Sequence, residues 1–273
     1  MAATAPAEQR HRLLLPILGL LSLLAIAAWL QWPDRQLHLY ILETPGDAFV
    51  IQTPGGRFVL IDGGSDPARL TMLLGRLMPY WQRDLRAVLL TGTSGKRMIA
   101  QVAALARYQP ATVLAPPGLG ETGFASEWRR LTATTPTQTL APGQRLDLDG
   151  ATLTVLAAEA GKEGGAVLLL SYHATRLLFH SGGSAGDQAA LRSAGRPLDL
   201  LIFPWQRDPT TELLATLRPQ AIVFTDAYEA PEPVQLSFAE RQRYSRQLFH
   251  SRVHGLIELV SDGRKSEVIL RDE

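Results

Sequence analysis

From Leu37 onward the chain is written in short apolar runs punctuated by glycine and proline. "LHLYIL" (Leu37–Leu42), "AFVIQ" (Ala48–Gln52) and "RFVLID" (Arg57–Asp62) are rich in β-favouring residues, with "TPGD" and "TPGG" between them. That pattern predicts three strands joined by tight turns. The period then changes. Asp66 caps and Pro67 opens a helix whose apolar face is Leu70, Leu73, Leu74 and Leu77. "LRAVLL" (Leu85–Leu90) predicts a buried strand, Lys96–Tyr108 a helix and "ATVLA" (Ala111–Ala115) another strand.

The second half repeats this alternation less regularly. "APPGLGETG" is loop, Ser126–Ala133 a short helix and "TPTQTLAPG" loop again. "RLDLDGATLTVLAA" predicts a hairpin turning at Asp149–Gly150, and "AVLLLSY" with "RLLFHS" a second one across His173–Ala174. Helices over Ala185–Ser193 and Thr210–Leu217 alternate with the strands "LDLLIF" and "AIVF"; a helix over Phe238–Phe249 and two strands, "LIELV" and "SEVIL", close the chain. Two strand-rich halves, each followed by helices, predict an α/β fold of two sheets face to face with helices outside. No polar linker divides them, so residues 37–273 read as one domain.

The segment before that domain has a different pattern. Leu13–Leu30 is 18 residues without a charge, preceded by Arg10 and Arg12, with Trp29 and Trp32 about its far border and Asp34 beyond it. At 1.5 Å per residue it just spans a bilayer core of about 30 Å, with Gln31 and Trp32 reaching the interface. "AIA" at Ala25–Ala27 resembles a signal-peptide cleavage site, but the apolar run continues past it, which favours an uncleaved anchor. Residues 1–12 are then a cytoplasmic tail, 13–32 a single transmembrane helix and the domain extracytoplasmic.

Composition narrows the chemistry. The 273 residues contain no cysteine, which excludes disulfides, thiolate metal sites and a cysteine nucleophile. With 27 basic and 26 acidic residues the net charge is +1, so charge balance announces no polyanionic partner. "LLTGTSGKRMIAQV" runs from strand through glycine turn to helix, but Gly92 and Gly95 enclose two residues where a nucleotide-binding phosphate loop needs four. A weaker anion site remains open at Gly95, Lys96 and Arg97, where helix N–H groups and two cations stand together; the alternative is that both cations are solvated or neutralise a nearby acid. The stretch Ser237–Arg252 reads similarly, either as a basic nucleic-acid surface or as an amphipathic helix with Phe238, Tyr244, Leu248 and Phe249 on one side and Arg243 and Arg246 on the other.

The order of these motifs resembles the metallo-β-lactamase fold, and within it the extracytoplasmic domain of the ComEC competence DNA-uptake channel family. There a membrane helix leads into a strand, an "LDVGQGDA" segment and "TPGGRTVLIDGG"; here one leads into "LHLYILETPGDAFVIQTPGGRFVLIDGG". The resemblance implies an αββα sandwich in which Asp62, Gly63 and Gly64 shape a turn. It also implies a metal site, because the family's next motif carries two spaced histidines and an Asp–His pair. At those four positions stand Gly92, Ser94, Lys96 and Arg97, Gly183 takes the place of the aspartate that bridges two metals, and Trp205 and Gln206 that of a later histidine.

None of these residues except the cations brings charge, and cations repel a divalent metal. The expectation is a membrane-anchored domain without catalytic residues, metal or cofactor, with Trp205 filling the former metal pocket. Such a domain would act by binding: membrane lipid through its helix, then a channel-type membrane protein or single-stranded DNA. The alternative is a metal-dependent phosphodiesterase-type hydrolase whose ligands have moved, to a cluster of His180, Asp62, Asp208 and Asp226.

Overall fold

The structure is a computed structural model that describes residues 17–19, 22, 33–161, 164–193, 195–230 and 232–271. The chain divides into two units, Met1–Asp34 and Arg35–Glu273. In the first, residues 17–19 and Ser22 are helical and the Ser22 hydroxyl donates to the Leu18 carbonyl at 2.8 Å. The expected tail 1–12 and nearly all of the expected span 13–32 lie outside the described residues; among the described residues no helix is long and apolar enough to cross a membrane.

In the second unit β1 (Leu37–Ile41), β2 (Ala48–Gln52) and β3 (Phe58–Asp62) form the predicted meander. β5 (Ala87–Leu89), β7 (Val113–Ala115) and β8 (Thr137–Thr139) extend it in parallel, because α1 (Pro67–Leu77), α2 (Gly95–Leu105) and α3 (Gly123–Thr132) intervene. On the other side of β1 the last strands, β16 (Leu256–Ser261) and β17 (Ser266–Arg271), complete eight strands in the order β17-β16-β1-β2-β3-β5-β7-β8. A short parallel pair, β4 (Asp84–Leu85) and β6 (Gln109–Pro110), stands beside it.

The second sheet has seven strands in the order β15-β14-β13-β12-β11-β10-β9. β9 (Arg145–Leu148), β10 (Ala151–Ala158), β11 (Ala166–Tyr172) and β12 (Thr175–His180) are antiparallel; β13 (Leu200–Pro204), β14 (Ala221–Thr225) and β15 (Gln247–His250) follow β12 in parallel, with α4 (Ser184–Arg192) and α5 (Thr211–Leu217) between them. Leu39, Ile51, Val59 and Ile61 from one sheet share a core with Leu153, Leu168, Leu177 and Ile202 from the other. Phe49 and Phe179 meet edge to face at 5.4 Å across it. Outer cores join α1, α2 and α3 to the first sheet and α4 and α5 to the second. Each such fully buried side chain contributes about 1.5–3 kcal/mol. The result is the expected αββα sandwich.

Two elements differ from the sequence pattern. Thr137–Thr139, within a stretch expected to be loop, pairs with β7. The helix expected over Phe238–Phe249 stops early: α6 covers Phe238–Arg241, a turn follows, and Gln247–His250 pairs with β14. Leu248 packs toward the outer core of the second sheet and Phe249 toward the inner one. That is strand alternation, not a shared helical face. The open edge of β14 supplies backbone partners for the whole segment, and this outweighs a helical pattern that is only moderate.

Candidate functional site

The loops after β3, β5, β12, β13 and β14 meet at one end of the sandwich, and α2 is wedged into them. Its first turn runs so close to the "TPGD" loop that the Asp47 N–H donates to the Lys96 carbonyl at 3.0 Å. Gly46, at φ +98°, lies where a Cβ would stand 1.9 Å from that carbonyl oxygen, so only glycine fits. On the other flank the Ala100 N–H donates to the Gly64 carbonyl at 3.0 Å. The turn predicted at Asp62–Gly64 thus carries the helix. Asp62 itself sits in the left-handed region at φ 55°. Its carboxylate accepts from the Thr91 N–H at 2.7 Å and the Thr91 hydroxyl at 2.5 Å, which ties β3 to the end of the next strand.

The centre of this end is occupied by Arg97. Its side chain is 1% exposed and reaches from the first sheet to the second. Nη1 donates to the Gly164 carbonyl at 2.9 Å, Nη2 to the Ser181 carbonyl at 2.7 Å, and Nε lies 3.6 Å from Asp47 Oδ2. Asp47 is 2% exposed, and its Oδ1 accepts the Ala227 N–H at 3.3 Å. Burial pushes the Asp47 carboxyl up, against the Arg97 charge and hydrogen bonds from Thr225 and Ala227. Burial pushes Asp62 up to about 7, opposed by Arg97 and Thr91 and reinforced by the Asp47 charge.

The residues singled out in the sequence reach different places. Gly92 lies against the Arg97 guanidinium: a Cβ there would be 2.2 Å from Nη1. Ser94 is the N-cap residue of α2 without a capping side-chain bond, and its buried hydroxyl has no partner. Lys96 turns the other way from Arg97 and donates to the Asp226 carbonyl at 3.3 Å. Of the alternatives at Gly95, Lys96 and Arg97, the geometry matches neutralisation of a nearby acid for Arg97, which faces Asp47, and Arg97 and Lys96 do not converge on one point. Gly183 opens α4, and its carbonyl accepts from Arg207 at 3.3 Å.

Trp205 does not fill the place beside Gly92; it packs against Phe224, Phe238 and His250, with ring separations of 5.3, 6.4 and 5.1 Å. Its partner Gln206 donates to the Asp226 carbonyl at 3.2 Å. His250 and His254 meet through the His250 N–H, which donates to His254 Nδ1 at 3.1 Å. The two rings therefore do not converge on a common point.

Three further residues had no signal in the sequence. Arg207 donates to the Gly182 carbonyl at 2.9 Å and to Asp187 Oδ2 at 2.6 Å. Asp187 also stands 2.8 Å from His180 Nε2, though not in hydrogen-bond alignment. Burial acts against the Asp187 charge, but His180 and Arg207 together hold its carboxyl below the usual range. Arg241, at 0% exposure, donates to the Arg207 and Trp205 carbonyls at 2.9 and 2.6 Å and covers the Trp205 ring at 4.2 Å. Only "RD" after a strand and "ER" in a basic stretch mark Arg207 and Arg241 in the sequence, and such pairs are usually solvated.

A divalent metal needs several imidazole or carboxylate lone pairs at about 2 Å. Among the described residues no three His, Asp or Glu side chains are grouped to provide them. The proposed relocated set is dispersed: His180 faces Asp187, Asp62 holds Thr91, Asp208 meets Tyr244, and Asp226 meets Arg252 at 2.5 Å and His250 at 3.6 Å. The described residues at this end do not fit a metal. Of the two serines near this end, the Ser181 hydroxyl is engaged, donating to the Ala166 carbonyl at 2.8 Å, while the Ser94 hydroxyl is buried without a partner.

No protein-family model and no curated protein matches the sequence. Solved structures do. The metallo-β-lactamase fold protein YhfI from Bacillus subtilis is 15% identical, with 78% of this chain and 95% of that one covered and a TM-score of 0.51. A variant of the β-hydroxylase CmlA is 12% identical over 78% of this chain, with a TM-score of 0.52; the chain spans about half of its length, 52%. At these identities the likeness is one of fold. The chain has the metallo-β-lactamase fold.

Proposed function

We propose that this chain is a membrane-anchored domain of metallo-β-lactamase fold that acts by binding and not by hydrolysis. The observation that carries the reading is Arg97. A buried guanidinium, bonded to two carbonyls and facing Asp47, takes the space beside Gly92 where the resemblance places the first metal-binding histidine. A guanidinium held there links the two sheets and occupies space that a divalent ion would need, which supports the reading.

The partner proposed is a channel-type membrane protein in DNA uptake, with single-stranded DNA as the second candidate. The support is the resemblance to the ComEC domain through "TPGD", "TPGGRFVLIDGG" and the apolar segment in front. The dispersal of His180, Asp62, Asp208 and Asp226 favours this reading over the relocated-metal alternative.

The test is metal content and phosphodiester hydrolysis of the full chain, purified in detergent, incubated with zinc or manganese and desalted. The expected result is substoichiometric metal and no metal-dependent turnover. One or more equivalents of retained metal with turnover would overturn the reading. In parallel, binding of a fluorescent single-stranded oligonucleotide should weaken with salt if DNA is the partner, and be absent if it is not.

A further inference from the structure

The end of the sandwich opposite Arg97 has its own chemistry. β1 starts there, with Leu37 paired to Ser261 just before the turn that holds Arg264 and Lys265. The Tyr172 hydroxyl donates to the Arg35 carbonyl at 3.2 Å, so the second sheet reaches the same end. Phe58 begins β3 there and accepts from the Arg86 N–H at 2.7 Å, while the Gln109 N–H donates to the Arg83 carbonyl at 2.8 Å. The chain therefore enters the domain at the end that displays residues 80–86.

Two of those residues are the aromatic pair Tyr80 and Trp81, 80% and 52% exposed, with rings edge to face at 4.7 Å. Arg83 and Arg107 are exposed beside them, each within 6 Å of the face of Tyr108 at 5.7 and 5.9 Å. Arg264 and Lys265 are exposed as well. The acids at this end are Asp34, Asp84, Asp149, Asp262 and Glu267. Asp149 is paired with Arg57, and Asp262 is held by the N–H groups of Arg264 and Lys265 in its own turn, so Arg35, Arg83, Arg107, Arg264 and Lys265 stand against Asp34, Asp84 and Glu267. Large amphipathic rings with a surplus of cations suit a bilayer interface, where rings sit at headgroup level and cations meet lipid phosphates.

We propose that this end of the domain rests on an anionic lipid surface, Tyr80 and Trp81 seated among the headgroups. The inference rests on the anchored reading above. If Leu13–Trp32 spans the bilayer, only Pro33 and Asp34 separate it from Arg35, a reach of about 7 Å at full extension. That tether is shorter than the Debye length of about 8 Å at physiological salt, so Arg35 and the end of the domain at which the chain enters are held close to the lipid charge.

The chain has no native cysteine, so single labels can be placed at will. Spin labels on Gln82→Cys, at this end, and on Glu121→Cys, in an exposed loop following β7 at the other, would be compared in the full chain. The vesicles would be phosphatidylcholine alone or with phosphatidylglycerol. With phosphatidylglycerol, collisions of the Gln82 label with a water-soluble nickel complex should fall several-fold while the Glu121 label is unchanged. Reversing Arg83 and Arg107 to Glu should restore the collisions.

If the chain co-floats with vesicles but both labels stay equally wet, the anchor stands and this proposal falls; the face then meets solvent or a protein. Shielding that persists after charge reversal also overturns it. If the chain does not co-float at high salt, the anchored reading fails and takes this proposal with it.

Discussion

Arg97 and Gly92 exclude one another's alternatives: a Cβ at Gly92 would stand 2.2 Å from Arg97 Nη1, and the guanidinium cannot retreat without losing the Gly164 and Ser181 carbonyls. The small residue and the large cation form one packing unit. Deleting the arginine strands Asp47 and two buried carbonyls, whereas deleting the glycine pushes the arginine off its acceptors.

Arg97→Ala should therefore destabilise the protein by about 3–5 kcal/mol, the usual cost of breaking a buried charge pair from one side. Gly92→Ala should cost about 1–3 kcal/mol through overpacking. The double variant should cost clearly less than the sum, because the clash disappears with the side chain. Denaturant unfolding of the four proteins measures this; additivity within about 0.5 kcal/mol would show that the two residues are independent.

Asp62 makes stability depend on pH in an unusual direction. Its folded carboxyl titrates near 7, against 3.8 as the reference value, so between those limits the folded state holds a proton that the unfolded state has released. Stability should fall as pH rises from about 4 to 7, by up to roughly 4 kcal/mol from this group. Asp47, also raised, adds in the same direction. Asp62→Asn keeps the acceptor for the Thr91 N–H, and it should flatten the slope between pH 5 and 7. An unchanged slope in chemical denaturation would place the titration elsewhere.

The opposite limb belongs to Glu258. It is fully buried, 2.7 Å from His38 Nδ1 and 2.5 Å from Arg271 Nε. Burial opposes its charge, but the two partners outweigh it and hold the carboxyl below 4.5. Its stabilisation is present above that pH and is lost as pH falls through the lower folded value. Arg271→Ala should remove part of it, lowering stability at pH 7 and making the acid limb below pH 4.5 shallower. Acid-unfolding curves of the two proteins decide the point.

Arg241→Lys tests whether charge or geometry holds the Trp205–Arg207 turn. One ammonium cannot reproduce the fork to two carbonyls or the stacking on Trp205. The expected loss is about 1–3 kcal/mol per acceptor left unsatisfied, with faster amide exchange in residues 204–208. Exchange as slow as in the parent would mean that the turn is held by other contacts.

The sandwich was legible because strand pattern and turn chemistry agree. "TPGD", "TPGG" and Asp149–Gly150 mark turns that β-rich runs cannot supply, and the spacing Leu70, Leu73, Leu74 and Leu77 admits only a helix. The segment Phe238–Phe249 misled because its spacing suits a helix, while the free edge of β14 that captures Gln247–His250 is formed by residues far away in sequence. The site was half legible. That Gly92 and Ser94 carry no imidazole can be read from letters alone, and the sequence left open whether Arg97 is solvated, holds an anion or neutralises a nearby acid; only the structure places it against Asp47.

What the sequence determined by itself is the order of elements, the glycines that let α2 approach its neighbouring loops, and an uncharged run at Leu13–Leu30 distinct from all that follows. What only the tertiary structure decided is where the charges go. Arg97 and Arg241 are spent on main-chain carbonyls of Gly164, Ser181, Trp205 and Arg207. Every residue carries such a carbonyl, so no side-chain pattern marks the ones that will be left unpaired at strand ends. Nothing along the chain distinguishes an arginine destined for them from one that stays in water.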